Sequence, residues 1–186
     1  MAIFMAMGKV ENNPHLLPGV KLELKSFDTK CSDQQGPLTA AHMYYDRLAH
    51  IFIGPYCMFV VAPVARYSSK WGIPIVTPAA LLDGFTNKMQ FKTLTRVQGS
   101  YQKAREFLGA IMTKFEFRHT GLLFHKVEKP PDVVTPGENY CFFVMRSFFQ
   151  MMTVRGVMPM HKSFNQEHET DYGAVLQEVA KQSRSE

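Results

Sequence analysis

Long apolar runs are the first thing this sequence lacks. No stretch of about 18 apolar residues occurs among the 186, so nothing in it reads as a bilayer-spanning helix. Blocks of like charge are missing too. The 21 Lys and Arg against 16 Asp and Glu leave a net charge of +5, spread thinly along the chain. No nucleic-acid partner is expected, because such a footprint needs clustered basic residues. There is no Asn-x-Ser/Thr acceptor. The opening MAIFMAMGKV has neither a basic n-region nor a small-residue cleavage site, and Lys9 and Glu11 follow early, so no signal peptide is read there. If the protein is extracellular, its true beginning is expected to lie ahead of Met1. Metal-ligand spacing is absent as well: His15, His42 and His161 have no close partner, and His168 is flanked by Glu167 and Glu169, whose side chains point apart from it. No metal and no organic cofactor is expected.

Cysteine is scarce, and its count is odd. Cys31, Cys57 and Cys141 allow one disulfide with a leftover thiol, or three reduced cysteines; the count by itself favours the reduced set. An enzyme reading would make Cys57 a thiolate at a helix N-terminus, with a base drawn from His42, His50, His119, His125 or His161. None of these stands at a motif spacing, and we do not expect an enzyme.

What is present is ordinary for a globular protein: 46% apolar and 20% charged residues, enough for one domain, or for one lobe and part of another. Two periodicities alternate. Ile3, Phe4, Met7 and Val10 mark a helix ending near Asn12, and Val20, Leu22 and Leu24 alternate with charged residues as a strand does. A helix over 37–48 would turn Leu38, Ala41, Tyr45 and Leu48 inward. The short apolar run 51–54 reads as a buried parallel strand, 55–70 as a helix, and 73–78 as another strand. The order repeats: strand 91–95, helix 98–117 with Ala104, Phe107, Leu108 and Ile111 inward, strand 120–125. A loop follows over 126–138, then helix 139–153, strand 157–164 and helix 171–183. Alternation of this kind predicts an α/β fold with a mainly parallel sheet sandwiched by helices. In such sheets ligands sit beyond the carboxyl ends of the strands. The turn Gly54-Pro55-Tyr56-Cys57 stands at such an end. It reads either as an anion cradle at a helix start or simply as a tight turn with Pro55 in the first helical turn.

The segment Ile51-Phe52-Ile53-Gly54-Pro55-Tyr56-Cys57, with Ala62-Pro63-Val64-Ala65-Arg66-Tyr67 and Trp71-Gly72-Ile73-Pro74-Ile75-Val76-Thr77, resembles the extracellular ligand-binding region of natriuretic peptide receptors and related membrane receptor guanylate cyclases. Leu16-Leu17-Pro18-Gly19, Cys31-Ser32-Asp33 and Cys141-Phe142-Phe143 reinforce the likeness. The resemblance implies a two-lobed fold like the type I periplasmic binding proteins. Residues 1–118 would be most of the first lobe without its opening strand, and 119–186 a partial second lobe. It implies a Cys31–Cys57 disulfide, a Cys141 whose partner lies beyond Glu186, and an oxidising compartment. It implies a possible chloride held by Ser26 and the backbone at Tyr56 and Cys57, although Tyr56 replaces a glycine of the best-known members. Peptide contacts are implied at Asp33, Phe59, Arg66, His125, Phe142 and Phe143. Phe59 and His125 stand where relatives have tyrosine, so the peptide need not be a natriuretic one, and one of Phe142 and Phe143 is expected in the core. A homodimer would meet at His42, Tyr45 and Lys70. The expected role is regulatory: an extracellular peptide binds on the outer side of the plasma membrane and governs a cyclase domain outside this chain. A soluble decoy or clearance-type binder is the alternative.

Overall fold

The computed structural model describes residues 2–125, 140–165 and 171–183. The expected loop at 126–138 and the His168 group lie outside the described residues. Elements run in the order α1 (Ala2–Glu11), α2 (Gln35–Tyr45), β1 (Phe52–Ile53), α3 (Met58–Trp71), β2 (Ile75–Thr77), a 3-10 turn (Asp83–Thr86), β3 (Leu94–Arg96), α4 (Tyr101–Lys114), β4 (Gly121–His125), α5 (Tyr140–Val154), β5 (Met160–Phe164) and α6 (Tyr172–Ser183). One parallel sheet has the order β1-β2-β3 and a second pairs β4 with β5, also in parallel. The α/β alternation read from the sequence is therefore the architecture.

Helix α3 holds the first sheet. Val60, Val61, Val64, Ala65 and Ser68 recur at helical spacing, and all are buried against Ile75, Leu94 and their neighbours. Each fully buried valine contributes about 1.5–3 kcal/mol relative to exposure. The helix stops at Gly72, whose φ of +74° suits a residue without Cβ. The Ile73 N–H then donates to the Ser68 carbonyl at 3.0 Å. The Ser68 hydroxyl donates to the Ile73 carbonyl, so a fully buried serine costs nothing unpaired. Thr77 is likewise buried and satisfied: its hydroxyl donates to the Pro55 carbonyl at 2.6 Å and accepts the Ala79 N–H at 3.0 Å.

Four local expectations need correction. Residues 20–24 form no strand; Leu22 and Leu24 are half-buried and the charged Lys21, Glu23 and Lys25 around them exposed, but no neighbouring strand among the described residues pairs with them. Period two sets the faces of an extended segment, whereas a strand also needs a ladder. Helix α3 begins at Met58 rather than Pro55, with Cys57 in extended geometry as its cap. The third strand lies at 94–96, because Phe91 leaves the ladder to pack on Phe85, with ring centroids 5.0 Å apart. The faces of two helices are also turned. In α2, Gly36 and Ala40 are buried, while Leu38 and, at 78%, Tyr45 are exposed, and Leu48 lies beyond the helix end, also exposed. Tyr45 lies about 180° around the helix from Gly36. In α4, Tyr101, Gly109 and Met112 are buried; Ala104 is exposed and Phe107 is 70% exposed.

Close approach explains both rotations. A methyl group on Gly36 would overlap the Val60 side chain, so α2 seats its glycine and alanine on α3. On α4, the Gly109 carbonyl accepts from Arg155 Nη1 at 2.8 Å, and the same nitrogen reaches Thr113 Oγ1 at 2.9 Å. Arg155 follows α5 directly, so α4 packs with α5. Its Met112 joins Leu122 and Met152 in a second hydrophobic cluster, although the sequence groups 1–118 together. The ion pair Arg105–Asp83, at 2.6 Å, ties α4 back to the first half.

Gly36→Ala is expected to lower stability by about 1–3 kcal/mol through overpacking. In a Val60→Ala background the loss should shrink; urea denaturation of the double-mutant cycle measures the coupling.

Candidate ligand-binding surface

The chain between β1 and α3 is fixed at both ends of its turn. Gly54 has φ of +102°, a value that excludes residues with a Cβ at little strain. Its N–H donates to the Val76 carbonyl at 2.8 Å. Three residues on, Cys57 is bonded to Cys31, with Cα atoms 5.5 Å apart, as the resemblance implies. The bond ties the segment before α2 to the start of α3. Cys141 is a free, exposed thiol near the start of α5. A nucleophilic Cys57 is removed by the disulfide, because the thiolate such chemistry needs does not exist there.

Phe59 lies in the first turn of α3, just past the disulfide, and is 40% exposed. Its ring meets Phe143 of α5 at 6.1 Å, Phe143 meets Phe142 at 5.7 Å, and Phe142 meets Phe124 of β4 at 6.3 Å. Three residues named from the sequence are thus brought into one aromatic run that reaches from the first sheet to the second. Separations of 4.5–7 Å with tilted or edge-on planes are the favourable geometry for such rings. Phe143 also packs on the first core while Phe142 stays exposed, so one of the pair is core, as expected.

The other named residues stand apart from this run. Asp33 is exposed one turn before α2. His125 is half-buried at the end of β4, its ring 6.0 Å from Phe164. Among the described residues Arg66 does not pair with an acid: its guanidinium sits 5.2 Å over the Phe91 ring, with long 3.4 Å contacts to Gln90 Oε1. It is held by its own neighbours. Phe124 and Phe164 were not singled out from the sequence; they fell only within the expected strands 120–125 and 157–164.

The anion turn is brought together only in part. Ser26 lines the same cavity as Gly54 and Pro55, but Tyr56 and Cys57 are not on its lining. Tyr56 is largely exposed. The α3 start carries no side-chain cap, which leaves its first N–H groups as the positive end of the helix.

A third cluster lies on the outer face of α2 and α3. Tyr44 stacks on Trp71 at 4.5 Å with planes 5° apart, and Tyr45 and Tyr67 extend the group at 5.4 and 5.7 Å. His42, Tyr45 and Lys70 are exposed around it. Tyr67 and Trp71 carry part of the family resemblance but, like Tyr44, were given no contact role, although the four-residue spacing of Tyr67 and Trp71 signals a shared helix face.

Comparison with known proteins adds the family. The receptor family ligand binding region matches residues 1–185. Atrial natriuretic peptide receptor 3 of Bos taurus is 26% identical over 195 residues, covering 98% of this chain and 34% of the relative. Atrial natriuretic peptide receptor 2 of Anguilla japonica is 24% identical over 191 residues, 98% of this chain and 17% of that protein. Receptor 2 of Bos taurus reaches 30% identity over 99 residues, 53% of this chain and 10% of the relative. The chain spans about a third of the length of the receptor 3 relatives it matches.

In the folded, non-reduced protein, a maleimide reagent is expected to label Cys141 and neither Cys31 nor Cys57, read by peptide mass mapping. Replacing both bonded cysteines by serine should cost about 3 kcal/mol in thermal or urea unfolding, the loop-closure value for a separation of 26 residues.

Proposed function

The chain belongs to the receptor family ligand binding region, and we propose that it is the part of a plasma-membrane receptor that binds a peptide on the extracellular side. The observation that carries this reading is the aromatic run from Phe59 through Phe143 and Phe142 to Phe124, which bridges the two sheets at the mouth of the disulfide-fixed turn. Exposed aromatic anchors beside a rigid backbone are what a peptide interface uses, because large rings lose little side-chain entropy on binding. Asp33, exposed near the same end of α2, would meet a basic peptide group at the rim, and His125 would lie beside the second sheet's end of the run. Arg66 contributes by packing on Phe91.

The relatives are named as receptors for atrial natriuretic peptide, which makes a peptide of that class the first ligand to try, although Phe59 and His125 leave room for a different peptide. Peptide binding would govern a guanylate cyclase domain elsewhere in the protein by favouring one arrangement of two receptors over another. Among the described residues no helix is long and apolar enough to cross a membrane. The face for such pairing is the stacked group Tyr44, Tyr45, Tyr67 and Trp71, with His42 and Lys70 at its rim. A chloride held between Ser26 and the uncapped start of α3 would stiffen the turn that positions Phe59. We place the division between the lobes ahead of α4, since α4 packs with α5.

Titration calorimetry of the chain with atrial natriuretic peptide tests the ligand reading. Phe59→Ala and Phe143→Ala should each weaken binding by about 2 kcal/mol, close to thirtyfold, while Phe107→Ala on the far side of α4 leaves it unchanged. Equal affinity in all four proteins would sink the assignment of the surface. Tyr45→Ala with Tyr67→Ala should shift sedimentation velocity from dimer towards monomer without changing the far-ultraviolet spectrum.

A further inference from the structure

The turn Asp83–Thr86 and helix α5 both line a cavity of about 270 Å³. Two polar atoms of its lining residues are buried and without a hydrogen-bond partner: Asp83 Oδ1 and the Ser147 hydroxyl oxygen. Ser147 is only 8% exposed, so bulk water does not serve it. Buried polar groups are nearly always hydrogen-bonded, because an unpaired one loses its hydration and gains nothing. Here one such group comes from the first half of the protein and one from α5, and a single cavity serves both. Arg146 and Gln150, both exposed, complete its polar lining, while Leu82 and Phe143 give it an apolar side.

These groups restrict what can bind. Asp83 Oδ2 pairs with Arg105 at 2.6 Å, so that carboxylate is balanced and Oδ1 needs only a donor. Among the described residues Arg146 pairs with no acid, which leaves one positive charge over. A halide or an alkyl carboxylate offers Asp83 no proton and sets like charge against it. A cation, or the ammonium of an α-amino acid, meets Arg105 and Arg146 with like charge. A neutral polyol leaves Arg146 uncompensated. We infer that the cavity is a binding site for a short α-hydroxycarboxylate. Its carboxylate takes the planar fork of Arg146 and an amide N–H of Gln150, its hydroxyl donates to Asp83 Oδ1, and the Ser147 hydroxyl donates to one of its oxygens. The hydrocarbon end lies on Leu82 and Phe143. It is short, since the cavity is below the roughly 300 Å³ of sites for drug-sized molecules. Occupancy joins the two halves of the chain through one small molecule. The inference stands without the peptide reading, although Phe143 borders both sites.

The probe is L-lactate, titrated into the full chain at constant ionic strength and followed by calorimetry and by the melting temperature. Propionate lacks the hydroxyl, propane-1,2-diol lacks the charge, and L-alanine carries an ammonium in place of the hydroxyl. Lactate should bind saturably and raise the melting temperature, and each of the other three should bind at least about tenfold more weakly. Ser147→Ala and Arg146→Gln should each weaken lactate about tenfold, with Arg146→Lys between Arg146→Gln and the parent. In the ligand-free chain Ser147→Ala should not lower the melting temperature, since it removes a hydroxyl that has no partner. A fall there would mark a structural hydroxyl and overturn the site. No saturable binding of lactate overturns it. Propionate or L-alanine binding as tightly overturns the assignment of a hydroxyl donor. Lactate affinity unchanged in both Ser147→Ala and Arg146→Gln places the ligand elsewhere and overturns it as well. Coupling between Arg146→Ala and Asp83→Asn in a ligand-free double-mutant cycle would show these two residues paired directly, with no ligand between them, and would also overturn it.

Discussion

Closeness between α3 and its neighbours is the constraint on which the first half of this protein depends. Val60, Val61, Val64 and Ala65 are all buried between helix and sheet, and on the other side Val60 reaches a position where α2 has no side chain. Interiors packed to this density transmit a volume change at one residue to its neighbours. The disulfide at Cys57 and the turn at Gly54 act at the same helix end, so the start of α3 has little freedom. Phe59, one residue inside the helix, inherits that rigidity while staying exposed. A binding residue held by a packed scaffold loses less entropy on meeting its partner than one on a free loop.

The order of elements was legible in the sequence because it depends on local pattern. The run Ile75-Val76-Thr77, the helix through Val64 and the strand through Leu122 stand where periodicity puts them. Helix faces were not legible. Ranking residues by size puts Tyr45 and Phe107 inside, but the tight helix contacts select Gly36, Ala40 and Gly109 and turn the large rings outward. The strand at 20–24 failed for a related reason, since hydrogen bonding to a neighbour is a property of the fold and not of the segment. At the proposed ligand surface, resemblance supplied Phe59, Phe142 and Phe143 individually. Their mutual contact, and the part of Phe124 in it, belongs to the way α5 crosses from the second sheet to the first.

Among the described residues the two halves meet through contacts of three different kinds. Phe143 enters the first core, the Tyr101 N–H donates to the Leu81 carbonyl at 3.0 Å, and Arg105 pairs with Asp83. An apolar contact, a main-chain hydrogen bond and an ion pair respond differently to solvent, salt and temperature. The ion pair is partly exposed and weak under physiological salt. Phe143 is the contact that also belongs to the proposed ligand surface, so occupancy of that surface and the relation of the halves would share one side chain.

Gly36 has no side chain, yet it sets the azimuth of those that have large ones. With α2 seated by its bare backbone on Val60, the opposite side of the helix is fixed in direction, and Tyr45 has only one way to face. Tyr44 is then presented flat against Trp71 as though the two helices had been indexed to a common mark. Any drift in the chemistry of that outer face is therefore legible from within. A change of one methyl group beneath α2 would rotate an entire aromatic surface, and selection on the exterior would be felt at a residue no partner touches.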